Sequence, residues 1–507
     1  MSKKYLYSAS VQGIQSFIFQ TNKLKEIAGA SELVEQLSTP DALEEALAYL
    51  GVDFKKENLI VAAAGKIKYL FDDLAACEKL CQYMPIYVSQ EAPGLQLSQS
   101  VVLVDGAFKE EHYSRSEQAL VQKRAFIGRP NTEGWMIAAR APQTGNPVKA
   151  YEKQELLDNG QLKKRAIVES KGLTPLEEKL LGKDSRYIFL REFAAISRRE
   201  DNWLAVIYAD GNDLGIKIPR LLKEREANPG GYQKASCDFS EGLDKANIKA
   251  FEKAKDELVS YLEEGGELEI DKETGKYKLP LRPIICGGDD LVVVIQARYA
   301  LFFCETYLRA FEEKTKQKID ERLTACAGIA YIKSKYPFHY GFKLAKDLCT
   351  YAKSKSRDKN LRTTPASISF HKVETSFIRS YAGGIRTEEI QSADLISPQP
   401  YFIKELKSNE EGIFLDTLLK RYHLLKNEKD PQMQVLFSRI RKVLGQLNHL
   451  SESQLSLELE RIFQLYYSQL MQLDSSLGRE NSKDILKGAY DLLALKAIDN
   501  YIPNNNK

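Results

Sequence analysis

The tetrapeptide Gly287-Gly288-Asp289-Asp290 constrains this chain more than any other feature. It lies between two apolar, strand-like runs, Leu281–Cys286 and Leu291–Ile295, and reads as the tip of a tight hairpin. Glycine tolerates the positive φ of such a turn and leaves the main chain open to close approach by a nucleotide at Gly287 and Gly288. Two adjacent carboxylates at the tip make a hard, oxygen-rich site suited to Mg²⁺ or Mn²⁺. Two-metal phosphoryl transfer needs acids from two segments that meet in space, because one hairpin supplies too few oxygens. The second segment is Ile207-Tyr208-Ala209-Asp210-Gly211-Asn212-Asp213. Asp210 ends the apolar strand Trp203–Tyr208 and is expected to face Asp289 and Asp290. Gly211 is expected to leave room for phosphate near the backbone. Asp213 either helps the other acids or caps the following turn.

The order of elements places these acids in a repeated unit. Over residues 1–150 the pattern is a strand at Tyr5–Val11, helices at Leu24–Leu37 and Asp41–Leu50 divided at Pro40, and a strand pair at Leu59–Ala64 and Ile67–Phe71. A helix at Asp72–Tyr83 and a strand at Leu97–Val104 follow. From about 200 the same order recurs. Trp203–Tyr208 is a strand, and Phe239–Leu262 is a helix with Leu243, Ala246, Ala250 and Ala254 on one face. The acid hairpin follows, then a helix at Ala297–Phe311 and a strand at Leu323–Ile332. This βαββαβ order is that of the ferredoxin-like fold. The expected class is therefore α+β: a first palm over 1–150 with no acids at its hairpin, a helical connector over 151–195, a second palm over 196–384, and an all-helical domain over 385–507. Gly266–Lys278 reads as a surface turn insertion. In the tail, Phe414, Leu415, Leu418, Leu419 and Tyr422 form an apolar stripe, and Ser451–Gln454 a capping box.

At 507 residues the chain is too long for one core. Hydrophobic residues at 43% and charged residues at 28%, with a net charge of +3, describe an ordinary globular protein and give no whole-chain argument for nucleic acid. The amino terminus lacks a signal-peptide pattern and no run is long enough to span a membrane, so a cytoplasmic location is expected. Seven cysteines, most in apolar runs, argue against a disulfide framework, and Cys77 and Cys81 lack a second pair for zinc. Five scattered histidines, none followed by Asp, argue against a His/Asp nuclease.

A triphosphate also needs cations, to bind and to stabilise charge on departing pyrophosphate. The helix face Leu344, Leu348, Tyr351 leads into the basic run Ala352-Lys353-Ser354-Lys355-Ser356-Arg357-Asp358-Lys359. Lys353 and Arg357, four apart, are expected on one helix face as phosphate ligands. Taken alone, such a run also fits a solvated face.

Three stretches give the chain a resemblance to the large, polymerase-like subunit of type III CRISPR interference complexes. These are Ser10-Val11-Gln12-Gly13-Ile14-Gln15-Ser16-Phe17-Ile18-Phe19 with Lys23–Ser31, then Asp210 with Gly287–Asp290, and Lys346-Asp347-Leu348-Cys349-Thr350-Tyr351-Ala352-Lys353. The resemblance implies two ATP molecules between two palms, with Mg²⁺ on Asp210, Asp289 and Asp290. It further implies conversion of ATP to cyclic 3′–5′ oligoadenylates, with target RNA and neighbouring subunits as the switch. The chain departs from the family in three ways. It starts directly at the palm rather than with a His/Asp nuclease domain, it shows no cysteine-bearing zinc element, and Asn212 stands where a further acid is usual. These departures are expected of a reduced member, or of a relative that acts outside a full CRISPR complex. The alternatives are a relative of the diguanylate cyclases, which usually carry Glu at the position of Asp289, and a scaffold that holds guide RNA and partner subunits.

Overall fold

The computed structural model describes residues 3–501 except 64, 126–136, 170–171, 184, 198–201, 227–230, 358–362, 376–379, 391–392, 405–413, 427–429, 448 and 475–478. Asp358 and Lys359, the end of the basic run, thus lie outside the described residues. The first unit comprises β1 (Lys3–Gln12), α1 (Leu24–Gln36), β2 (Leu59–Ala63), β3 (Lys66–Phe71), α2 (Leu74–Glu91) and β4 (Gln96–Asp105). Its four strands lie in the order β2-β3-β1-β4, every pair antiparallel. Helix α2 runs eight residues past the expected end at Tyr83, straight through Pro85. Proline leaves the carbonyl four residues back without its helical donor. Here the Gln99 side chain donates to Cys81 O at 3.1 Å in its place.

The segment expected as a helical connector holds a small hairpin over 150–157 as well as α3 (Asn159–Glu169) and α4 (Pro175–Leu181). Helix α3 docks on α1, where Arg165 pairs with the fully buried Glu26. Helix α4 opens with a reciprocal capping box between Thr174 and Glu177.

The second unit repeats the order with β5 (Trp203–Gly211), α5 (Gly231–Glu264), β6 (Leu281–Gly287), β7 (Asp290–Gln296), α6 (Ala300–Ile319) and β8 (Ala325–Lys333). Its strands run β6-β7-β5-β8, and β9 (Ser367–Lys372) and β10 (Tyr401–Phe402) extend the sheet beyond β8. Nearly every side chain of β7 and β8 is buried, as the unbroken apolar runs foretold. Helix α7 (Phe338–Ser356) covers one face of this sheet. It lies so close to β8 that a Cβ on Gly328 would come within 2.0 Å of the Ala345 carbonyl oxygen. The Gly266–Lys278 insertion forms two short strands, one of which pairs with Tyr187–Phe189.

The two units pack reciprocally: α1 of the first lies on β6 of the second, and α5 of the second lies on β2 of the first. The Val11–Phe19 stretch adds a second seam. The Phe19 ring sits 4.0 Å from that of Phe342 on α7, and Lys346 donates to Gln15 Oε1 at 2.9 Å.

Beyond β10 the chain is helical, with α8 (Leu415–Lys426), α9 (Pro431–Gln446), α10 (Glu452–Leu465), α11 (Tyr467–Leu473) and α12 (Ala489–Ala497). The capping box read at Ser451–Gln454 is formed. Buried Asp491 on α12 accepts from Tyr401, Gln399 and Ser397 at 2.6, 2.8 and 2.9 Å, which ties the helices to the sheet edge. Among the described residues no helix is long and apolar enough to cross a membrane.

Candidate functional site

Antiparallel pairing of Gly287 with Asp290 leaves Gly288 and Asp289 as the two-residue tip of the β6–β7 hairpin. Of the two glycines only Gly288 has positive φ, at 59°, while Gly287 belongs to the strand. Register then fixes the acids. Leu291 pairs with Ala209, so Asp290 stands beside Asp210 on the neighbouring strand, on the face that also carries Tyr208. The Tyr208 hydroxyl donates to Asp290 Oδ1 at 3.1 Å. Burial, and next the two acids, hold that hydroxyl well above its ordinary range, so it remains a donor.

The three carboxylates are mutually repelling and partly removed from water. Burial first, then the charges of Asp290 and Asp210, push Asp289 up to about 7. Burial and Asp210 push Asp290 up to about 6, against the pull of Tyr208, Lys353 and Lys346. Asp210 Oδ2 is met by Lys353 Nζ at 2.7 Å, and the same ammonium donates to the Gly211 carbonyl at 2.6 Å. Lys353 thus lies at the acid cluster, one turn before the end of α7.

Arg357 departs from the expected arrangement. Helix α7 stops at Ser356 with Arg357 as its C-cap, whose N–H still bonds Lys353 O at 3.2 Å, so Arg357 stays one turn beyond Lys353 while its side chain turns to another partner. Its side chain is largely exposed and pairs with Asp213 at 3.5 Å. Asp213 has φ 60° at the start of the next helix, and its carboxylate accepts from Thr364 N at 3.3 Å. The Arg357–Asp213 pair braces the loop and does not extend the acid cluster. Asn212 is likewise turned away: it is buried and donates toward Thr324 and the Thr364 and Pro365 carbonyls.

Gly211 has a different use from the one expected. A Cβ there would lie 3.0 Å from Asp289 Cβ, 3.2 Å from Asp289 Oδ2 and 2.6 Å from Leu214 Cδ1. The space its missing side chain leaves is taken by Asp289 itself, which allows the hairpin tip to fold down beside β5.

Among the described residues no three His, Cys, Asp or Glu side chains are already gathered as a metal cage. Asp210, Asp289 and Asp290 nonetheless have the donor chemistry for a hard divalent ion. Each is a carboxylate, and two of them are held at raised proton affinity by burial first and by neighbouring carboxylate charge second, the latter a charge excess that a cation would relieve.

At the equivalent place in the first unit the charge is inverted. Ala63 pairs with Lys66 at the hairpin, and Lys66 pairs with Ser10 on β1. Register therefore puts Lys66 where the second unit has Asp290, and Ser10 where it has Asp210. Arg124 donates to Ser10 Oγ at 3.0 Å, as Lys353 meets Asp210. The hairpin that sequence marked as acid-free is a cationic counterpart.

Sequence reasoning assigned no role to Tyr208, Lys346, Asp244 or Asn247. Asn247 donates from Nδ2 to Gly288 O at 3.1 Å and to Asp290 O at 3.0 Å. Asp244 accepts from Gly288 N at 3.3 Å. The available signal was an amide on the apolar face of the long helix, between Ala246 and Ala250.

With this geometry in view, comparisons with known proteins converge. Residues 203–361 match the family model described as Cas10/Cmr2, second palm domain. No curated protein matches the chain. Among solved structures, the Csm1–Csm4 cassette in complex with AMPPNP aligns with TM-score 0.55 and 12% identity, over 98% of this chain and 70% of that one. The cassette in complex with cA4 aligns with TM-score 0.53 and 14% identity, over 97% and 70%. The apo cassette aligns with TM-score 0.52 and 14% identity, over 97% and 70%. The acid hairpin thus lies in a segment similar to a Cas10/Cmr2 second palm, within a chain that shares the fold of these cassettes.

Proposed function

We propose that this protein is a nucleotidyl transferase that consumes ATP to make cyclic 3′–5′ oligoadenylates, in concert with other type III CRISPR subunits and with guide and target RNA. The observation that carries the reading is the convergence of Asp210, Asp289 and Asp290 beside Lys353, set in a sheet whose register has a cationic mirror in Ser10, Lys66 and Arg124. We read both sheets as ferredoxin-like palms, an assignment supported by their shared 2-3-1-4 strand order. The domains are then a first palm over 1–150, a connector over 151–195, a second palm over 196–384, and a mainly helical domain over 385–507 that also lends the strand Tyr401–Phe402 to the second sheet. The related cassettes bind AMPPNP and cA4, which supports an adenine nucleotide as substrate and a cyclic product.

In this reading Asp210, Asp289 and Asp290 would hold Mg²⁺ or Mn²⁺. The ion would supply Lewis acidity at the attacked α-phosphate and lower the proton affinity of the attacking 3′-hydroxyl. The chain's own residues do the rest. Lys353 leaves Asp210 to meet phosphate oxygens, and Gly287 and Gly288 leave the hairpin backbone open to the triphosphate. Tyr208 fixes the rotamer of Asp290. Lys66 and Arg124 meet the phosphates of a second nucleotide across the seam, and Arg357, paired with Asp213, would have to leave that partner to join Lys353. Two nucleotides so held would be placed for the 3′-oxygen of one to bond the α-phosphorus of the other as the α–β bridging bond breaks, with pyrophosphate leaving and the hydroxyl proton passing to solvent.

The test offers purified protein each nucleoside triphosphate, labelled RNA or labelled DNA, with Mg²⁺ or Mn²⁺ and with or without complementary RNA. Oligonucleotide formation from ATP, lost in Asp289→Ala, is expected. Metal-dependent strand cleavage lost in the same variant, with no nucleotide product, would replace the synthase with a nuclease. Neither activity would leave a scaffold.

A further inference from the structure

The catalytic hairpin is gripped from behind by one buried side chain. Asn247 lies on α5 and is fully buried. Its Nδ2 donates to the carbonyl of Gly288 at 3.1 Å and to that of Asp290 at 3.0 Å. These two carbonyls flank Asp289 in the chain. Both are acceptors, so the amide has to present its nitrogen to the hairpin, and its oxygen accepts from the Tyr307 hydroxyl at 2.9 Å. Tyr307 is also fully buried, on α6, so the amide is oriented from both ends. One turn before Asn247, Asp244 accepts from Gly288 N at 3.3 Å. Asp244 is itself fixed by Lys179 on α4 at 3.1 Å, and Lys179 pairs with Glu35 of the first unit at 2.9 Å. A polar asparagine on the face that otherwise presents Leu243, Ala246 and Ala250 is costly unless every bond is made.

We propose that Asn247 is a positioning residue for nucleotidyl transfer: its amide, set by Tyr307, holds the Gly288 and Asp290 carbonyls and so fixes Asp289 and Asp290 against Asp210. The role rests on the nucleotidyl-transfer reading for its consequence, but the grip itself is a property of the hairpin. Asn247 touches neither substrate nor the reacting atoms. Its loss therefore lowers the fraction of molecules with the acids in register and leaves nucleotide contacts intact.

The experiment compares the full chain with Asn247→Ala and Tyr307→Phe, together with Lys255→Ala as a control on the same helix and remote from the hairpin. Two readouts are taken: kcat and KM for ATP, and hydrogen exchange of the peptide spanning Gly287–Leu291. For Asn247→Ala a 10- to 100-fold fall in kcat is expected, with KM for ATP within about twofold. Exchange at the hairpin should rise at least tenfold while exchange in β8 is unchanged. Tyr307→Phe should move both readouts in the same direction by about threefold, and Lys255→Ala neither. If Asn247→Ala fails to fold, Tyr307→Phe decides on the same two readouts. If the wild-type protein makes no nucleotide product, the synthase reading fails and the hairpin exchange alone judges the grip. Wild-type exchange at Gly287–Leu291 in a folded Asn247→Ala protein would overturn the proposal, as would a rise in KM with kcat intact.

Discussion

Asp289 and Asp290 repel each other and Asp210 in a place that water only partly reaches, and this cost is the price of the site. Both acids hold their protons more tightly folded than unfolded, with values of about 7 and about 6 against an ordinary 3.8. The sign follows from linkage: the stability they favour is present below about pH 4 and is lost as pH rises through 6 to 7. Metal-free Asp289→Asn and Asp290→Asn proteins should therefore melt above wild type at pH 8, by about 1–2 kcal/mol of stability, with the gap narrowing as pH falls through 7 to 6 and closing only below about pH 4. Mg²⁺ should raise the wild-type midpoint at pH 8 and less at pH 5, since it competes with protons for the same oxygens. Thermal melts across that range, with and without Mg²⁺, check both statements; a pH-independent difference would refute them. Lys353 is the other residue whose role can be isolated. Lys353→Ala should raise KM for ATP about tenfold, with the melting midpoint in Mg²⁺ near wild type. Unchanged KM at subsaturating ATP would reduce Lys353 to a partner of Asp210. The acids and Lys353 were legible in sequence because charges at the end of an apolar strand and of an apolar helix face stand out. Tyr208, Asp244 and Asn247 were not, since a buried polar residue whose bonds run to distant main chain looks like core until the partner is in place.

At the scale of elements, the strands and long helices follow the hydrophobic period. The eight strands β1 to β8 fall within a few residues of their expected places, because unbroken apolar runs between glycine turns have few alternatives, whereas β9 and β10 had no expected counterpart and α5 and α6 each run eight residues past an expected end. The misses have local causes. Helix α2 passes Pro85 because Gln99 supplies the missing donor to Cys81 O, a contact between residues 18 apart. Arg357 caps α7 one turn after Lys353 but pairs with Asp213, a partner from another segment that spacing along one helix does not show. Gly211 was read as space for phosphate, and it is space for Asp289. That reassignment is testable. Gly211→Ala puts a methyl against Asp289 and Leu214 and should lower kcat at least tenfold while far-ultraviolet circular dichroism stays unchanged. Full activity in Gly211→Ala would show that the tip need not approach β5 so closely.

Over the whole molecule, the two sheets bury each other's helices and bring an acidic hairpin and a cationic one into one assembly. Sequence showed the repeat as a shared order of elements. It could not show the charge inversion, because Ser10, Lys66 and Arg124 become one group only through strand register and the packing of a helix that sequence left unassigned. The seam between units rests partly on Phe19 against Phe338 and Phe342. Phe19→Ala should cost about 3 kcal/mol, within the range for truncating a buried aromatic, and should lower nucleotide turnover by loosening one palm from the other. Loss of stability with turnover per folded molecule unchanged would show that the second unit works alone.

The most direct measurement is the mass spectrum of what the protein makes from ATP with Mg²⁺ in the presence of complementary RNA and partner subunits. The expected result is a product whose mass is a whole number of adenylate residues with no terminal phosphate, present for wild type and absent for Asp289→Ala. ATP left unconverted by wild type under every condition that activates a related complex, or a product that persists in Asp289→Ala, would contradict the assignment of Asp210, Asp289 and Asp290 as the centre of a cyclic-oligoadenylate synthase.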